Sequence, residues 1–419
     1  MQRLVVQGKH ILSGTIPIGG AKNDVVALIP AAILCDNQVI IDNVPEISDI
    51  NALSEMLTFL GAKYYRENNR IIINTENVVN KEIPENIASK LRASYYFMGS
   101  LLGKYKKVEI SLPGGCKIGR RPIDLHLKGF EALGAKVYQN GNKLTIIAEE
   151  LKGADIHLDF PSVGATINLM LAATKADGVT TINNAAKEPE IVNAALFLNN
   201  MGARIRGAGT NTIVVKGVET LNGCTHEVIP DRIEAGTYLI LGALTGEQIK
   251  VTNIIPEHLE ALIIKLKSIG AELKIEENAI TIMGGKSYKA VDIHTGVYPA
   301  FPTDLQQPFL TLLTQCHGRS IIEESIYESR FQNVTYLNEM GAKIKVTNDN
   351  KATVEGPTKL YGEEVVATDL RAGACLLLAA LIAEGETHII DIEHILRGYE
   401  KIIEKLTDVG AKIEIREYN

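Results

Sequence analysis

The tetrapeptide LGAK at residues 60–63 decides how this 419-residue chain folds, because it returns five more times. It recurs as LGAK at 133–136, MGAR at 201–204, IGAE at 269–272, MGAK at 340–343 and VGAK at 409–412. Its glycines, Gly61, Gly134, Gly202, Gly270, Gly341 and Gly410, lie 73, 68, 68, 71 and 69 residues apart. So even a spacing marks an internal repeat of roughly 70 residues. Ahead of the first copy, Leu53, Leu57 and Leu60 of NALSEMLTFLG share one helical face. Ahead of the last, Ile402, Leu406 and Val409 of EKIIEKLTDVG do the same. A glycine closing such a helix suits a left-handed C-cap. Alternating residues around a polar turn then predict a hairpin, as in AKYYRENNRIIIN and ARIRGAGTNTIVV.

A second helix type also occurs six times. Its copies begin at AKNDVVALIPAAIL, SKLRASYYFMGSLL, SVGATINLMLAAT, DRIEAGTYLILGAL, TDLQQPFLTLLTQ and TDLRAGACLLLAALIA. Each is apolar nearly all round after a polar first turn, which predicts burial on every side. The unit is therefore buried helix, strand, amphipathic helix, glycine cap, hairpin and final strand. The last copy stops at GAKIEIREYN, before the second half of its hairpin. The N-terminal RLVVQGKHILSGTIPIGG (3–20) aligns with TIVVKGVETLNGCTHEVIP (212–230) and supplies the missing strands. The units then close into a ring and divide into two three-unit domains, 22–229 and 230–419 plus 1–21, with two chain crossings near 21–22 and 229–230. A solenoid would have shorter repeats and distinct terminal caps. A ring clamp on DNA would need basic helices facing its hole, and these helices are apolar.

Composition fits a globular protein of two or more domains, with 46% hydrophobic and 22% charged residues. A net charge of −7 argues against nucleic acid as a partner. Five cysteines without framework spacing suggest reduced thiols, and neither CxxC nor HExxH occurs, so no metal site is expected. MQRLVVQGKH reads as an alternating strand rather than a signal peptide, and the apolar run at 372–383 is too short to span a bilayer. The expectation is a soluble cytoplasmic protein that does not contact a membrane; nothing in the sequence specifies an oligomeric state.

Charged groups interrupt the apolar pattern in two places. At starts of buried helices stand Lys22, Asn23, Arg92, Asp231, Arg232, Glu234, Asp304, Asp369 and Arg371; in loops before amphipathic helices stand Cys116, Arg120, Arg121, Asp124, Glu188, Glu190, Arg330 and Arg397. If the units share one geometry, both sets emerge at one end of each domain and line an interdomain cleft. Free N–H groups at helix starts would suit phosphate-bearing ligands there. The plainer role for Asp231, Asp304 and Asp369 is helix capping. One loop stands apart: LPGGCKIGRRP (112–122) sets Cys116 among glycines and cations that favour a thiolate. Of the other thiols, Cys35, Cys316 and Cys375 sit in or at the ends of apolar helices, where burial is the default, and Cys224 precedes a strand and carries no signal.

PGGCKIGRRPIDLH, GGAKN, LRAS, SVGAT, EPEIV, PDRIE, AFPTD, ESRF, TDLRA and RGYE follow the order found in the UDP-N-acetylglucosamine enolpyruvyl transferases, which this chain resembles over essentially its whole length. The resemblance implies an α/β (α+β) fold, a two-domain inside-out α/β barrel with apolar helices inside and sheets outside. It implies transfer of the enolpyruvyl group of phosphoenolpyruvate to the 3′-hydroxyl of UDP-N-acetylglucosamine, the first committed step of peptidoglycan synthesis, without a cofactor. It further implies Cys116 as proton donor to phosphoenolpyruvate and Asp304 as base. Lys22, Arg121 and Arg397 would hold phosphoenolpyruvate, with Asp369 and Arg371 nearby. Asn23, Arg92, the run Arg121, Pro122, Ile123, Asp124 and Leu125, with Asp304 and Ile326, would bind the nucleotide sugar, and Arg330 would help hold the closed site. Phe160 stands where the family often has lysine, and Arg120 is an additional arginine. The related shikimate-3-phosphate transferases share the fold but lack the cysteine loop. A noncatalytic nucleotide-sugar-binding paralogue is the other alternative, against which the intact set Cys116, Asp304 and Lys22 argues.

Overall fold

The computed structural model describes residues 2–90, 92–111, 123–245, 247–285 and 287–417. They form two compact units, one of 2–19 with 230–417 and one of 20–111 with 123–229. Every repeat glycine is left-handed: φ is 101° at Gly61, 96° at Gly134, 106° at Gly202, 102° at Gly270, 109° at Gly341 and 102° at Gly410. The alanine after each donates to the carbonyl five residues back, from Ala62 to Leu57 through Ala411 to Leu406, at 2.9–3.0 Å. The glycine donates three residues back, as from Gly270 to Lys267 at 3.0 Å. These paired bonds satisfy the last carbonyls of all six amphipathic helices in the same way. At Gly270 a Cβ would meet nothing within 4 Å, so only the dihedral angle opposes a side chain there. Gly270→Ala is expected to cost about 1–2 kcal/mol, read as a lower urea midpoint at unchanged slope. Gly341→Ala should cost more, because its Cβ would lie 2.7 Å from the Lys359 carbonyl.

Each unit holds three sheets of one pattern. A post-helix strand pairs antiparallel with the second hairpin strand, which pairs with the first, and a short strand from another repeat adds in parallel. Thus Gln38–Asp42 lies between Arg70–Asn74 and the parallel Thr225–Glu227. The register sets Val39 opposite Ile73 and Ile41 opposite Ile71, all fully buried. Around Lys107–Ser111 the parallel partner is reduced to a single bridge, Ile83 to Ile110. The final hairpin is split across the sequence: Lys412–Glu417 and Glu386–Ile390 both pair antiparallel with Gln2–Gln7, and Gly14–Pro17 then runs parallel to Gln248–Thr252.

The apolar helices are the interior. In one unit Lys22–Ala31, Tyr96–Tyr105 and Val163–Ala173 are buried over most of their length; in the other Arg232–Thr245, Thr303–Leu313 and Leu370–Ile382 are, and these three touch one another pairwise. Each fully buried Leu or Ile contributes roughly 1.5–3 kcal/mol, so burial on all faces fixes these helices. The helix expected from residue 89 onward starts later, at Tyr96, and Arg92–Tyr95 forms a tighter 3₁₀ turn before it. Among the described residues no helix is long and apolar enough to cross a membrane.

Candidate active site

The first turn of the Thr303–Leu313 helix carries Asp304. Pro302 takes the N-cap position and makes no side-chain cap, so Asp304 falls inside the first turn of the helix. Two arginines take it instead. Arg330 Nη2 donates to Oδ1 at 2.5 Å and Arg371 Nη2 to Oδ2 at 3.0 Å. The guanidinium side chains are 2% and 5% exposed and the carboxylate 23%, so the acid is the face that this cluster turns outward. Charge-assisted bonds of this kind are short and directional.

Each arginine is held in turn. Glu324, itself buried, accepts from Ile326 N at 2.8 Å and Tyr327 N at 3.2 Å through one oxygen and from Thr303 Oγ1 at 3.0 Å through the other, tying the 324–327 turn to the start of the Asp304 helix. Gln307, one turn beyond Asp304, donates to the Arg330 carbonyl at 2.9 Å. Arg371 begins the Leu370–Ile382 helix, whose N-cap Asp369 accepts from Arg371 N at 2.8 Å and Ala372 N at 3.1 Å. Burial opposes the charge of Arg371, but Asp304, Tyr399 and Asp231 together hold its pKa above the ordinary arginine value. A carboxylate pinned by two cations is held in a fixed orientation, as an acceptor for a hydroxyl proton must be.

Asp231 is a cap, accepting from Ile233 N and Glu234 N at 2.8 and 3.0 Å. Glu234 is buried; desolvation pushes its carboxyl up to about 7 against the opposing pull of Lys405, 2.6 Å away, and of the Gly19 N–H. Arg397 is half-buried just after the short Glu393–Leu396 helix, and Ile326 is half-buried in the 324–327 turn. In the other unit Lys22 is half-buried and paired with Asp49 at 2.6 Å, with Asn23 beside it. Ile123 and Leu125 pack on that unit's core at the start of Asp124–Ala132, while Asp124 is exposed. Phe160 is exposed, and Ser162 caps Val163–Ala173 by accepting from Ala165 N at 3.2 Å. Cys116, Arg120, Arg121, Pro122 and the side chain of Arg92 lie outside the described residues. Asp304, Arg330 and Arg371 thus converge, with Asp369 capping the helix of the last. Sequence reasoning missed Asp49, Glu324, Gln307 and Tyr399, whose only signal is a polar group in a helix start or an apolar segment.

A family model described as EPSP synthase (3-phosphoshikimate 1-carboxyvinyltransferase) matches residues 6–406. A relative named UDP-N-acetylglucosamine 1-carboxyvinyltransferase 2, from Listeria monocytogenes serovar 1/2a, is 53% identical over 411 residues, which is 98% of this chain and 97% of that one. A protein of the same name from Bacillus cereus is 51% identical over 414 residues, 99% and 96% of the two chains. Among solved structures, the enolpyruvyl transferase NikO from Streptomyces tendae superposes with a TM-score of 0.90 at 25% identity, covering 99% of both chains. EPSP synthase from Acinetobacter baumannii shares the fold, with a TM-score of 0.76 at 18% identity over 100% of both chains. With these matches running nearly end to end, the chain belongs to the enolpyruvyl transferase family and groups with its UDP-N-acetylglucosamine 1-carboxyvinyltransferases.

Proposed function

We propose that the chain transfers the enolpyruvyl group of phosphoenolpyruvate to the 3′-hydroxyl of UDP-N-acetylglucosamine, releasing phosphate and supplying peptidoglycan synthesis. The names of the 51–53% identical relatives support the substrate pair. The observation that carries the chemistry is Asp304, clamped by Arg330 and Arg371 yet turned outward. In this reading C3 of phosphoenolpyruvate gains a proton from Cys116 while Asp304 takes the proton of the 3′-hydroxyl and its oxygen bonds to C2. The resulting tetrahedral ketal then loses a C3 proton, the C2–O bond to phosphate breaks, and the double bond returns. Lys22, Arg121 and Arg397 neutralise phosphate and carboxylate as charge shifts between them. Asn23, Arg92, the run from Arg121 to Leu125, and Ile326 take the nucleotide sugar. The reading requires residues of both compact units, each completed as half of an inside-out barrel at 22–229 and 230–419 plus 1–21, and places the enzyme in the cytoplasm.

Mixing the protein with both substrates should liberate phosphate without added metal, followed by a colorimetric phosphate assay. Release only when shikimate 3-phosphate replaces the nucleotide sugar would reassign the acceptor. Binding of the nucleotide sugar without any phosphate release would favour a noncatalytic role.

A further inference from the structure

Behind Arg371 lies a chain of hydrogen bonds whose direction is fixed by its far end. Arg371 Nη1 contacts Tyr399 Oη at 3.2 Å, Tyr399 Oη contacts Thr237 Oγ1 at 3.0 Å, and Thr237 Oγ1 contacts the Ile233 carbonyl at 2.9 Å. A carbonyl only accepts, so the single hydroxyl proton of Thr237 goes to Ile233. The Thr237 oxygen is then left as an acceptor, and Tyr399 must donate to it. The Tyr399 oxygen therefore turns its lone pairs to Arg371, which can only donate. Tyr399 is 1% exposed, and burial raises its pKa, so the proton this order needs stays in place. The guanidinium is planar and rigid, so holding Nη1 on Tyr399 fixes where Nη2 points, and Nη2 is the group on Asp304 Oδ2.

We propose that Tyr399 is a positioning residue for the base Asp304, acting through Arg371, with Thr237 setting the direction of its hydroxyl. This rests on the reading of Asp304 as the base. Were Tyr399 only a packing group, phenylalanine would serve as well. Were its hydroxyl free to rotate, its proton would confront the Arg371 N–H and push the guanidinium off the carboxylate.

The test is steady-state phosphate release by Tyr399→Phe, Thr237→Val, Thr237→Ser and the double variant Tyr399→Phe/Thr237→Val, with thermal midpoints alongside. Tyr399→Phe is expected to lower kcat by about 10- to 100-fold while changing KM for either substrate less than about threefold. Thr237→Val should lower kcat in the same sense and Thr237→Ser should restore it. The double variant should be no slower than Tyr399→Phe, because both changes cut one chain. Should Tyr399→Phe not fold, the contrast of Thr237→Val with Thr237→Ser decides. An unchanged kcat in Tyr399→Phe, losses that multiply in the double variant, a change confined to KM, or rates that merely track the thermal midpoints would each overturn the inference. If the unmodified protein releases no phosphate from the two substrates, the functional reading falls and this inference with it. If the unmodified protein is active and Tyr399→Phe equally so, only the inference falls.

Discussion

Asp304→Asn is expected to lower the rate of phosphate release by about 100- to 10,000-fold, the range over which removing a positioned acid or base is felt. The amide keeps the shape of the acid but cannot take the 3′-hydroxyl proton. It also presents an N–H₂ to guanidinium groups that have nothing but N–H to offer. Arg330 and Arg371 are buried, and Asp304 bonds both. Leaving buried charges without their counterion typically costs about 3–5 kcal/mol, so the thermal midpoint should fall together with activity. The two effects separate if kcat is measured where circular dichroism shows the variant folded. A folded Asp304→Asn protein turning over within about threefold of the unmodified rate would remove Asp304 from the chemistry.

Alkylation by the epoxide fosfomycin should fall on Cys116 alone. The competitors are poor nucleophiles. Cys35, Cys316 and Cys375 are buried and Cys224 is half-buried. Burial pushes the Cys224 thiol up to about 11 and those of Cys316 and Cys375 up to about 12. At neutral pH a thiol with a pKa of 11 is ionised to roughly one part in ten thousand. Cys116 sits instead in a sequence with Lys117, Arg120 and Arg121 around it, where cations favour the thiolate. The phosphonate would occupy the phosphate site proposed for Lys22, Arg121 and Arg397. The sulfur then bonds to an epoxide carbon, the C–O bond opens and the oxygen takes a proton. Nucleotide sugar bound first should speed the reaction. Cys116→Asp keeps a proton donor but forms no thioether, so it should retain turnover and resist labelling. Peptide mass mapping decides the matter: adducts on Cys35 or Cys375, or on a Cys116→Asp protein, would refute the role.

The repeat is legible in the sequence because its glycines answer a backbone need that no other residue meets as cheaply: all six close helices at φ between 96° and 109°. The buried helices are legible for a similar reason, since a segment apolar on every side has nowhere to go but inside. The aspartates show where the reading stops. Asp231 and Asp369 stand at N-cap positions and cap, while Asp304, in a similar-looking TD dipeptide, comes two residues after its own N-cap, Pro302. That shift sets the acid inside the first turn, where Arg330 and Arg371 bond it, and helix boundaries at this precision are what sequence patterns locate worst. Side-chain partners are equally hidden. Arg371 and Asp304 are 67 residues apart, about one repeat period, but Thr237 and Tyr399 are 162 apart, which matches no multiple of it.

The split hairpin has a consequence for biosynthesis. Gln7 and its partner Glu386 are separated by 379 residues, and Lys412–Glu417 follows later still. At about 5–20 residues per second, the strand Gln2–Gln7 leaves the ribosome roughly 20–80 seconds before the two strands that flank it. During that wait the unit of residues 20–111 with 123–229 has emerged in full and can fold, while Leu4 and Val6, which end in the core of the other unit, have nothing to pack against. Gln2–Gln7 is thus an inner strand of a sheet that only much later residues can complete, and in the interval its apolar face is a natural client for a nascent-chain chaperone.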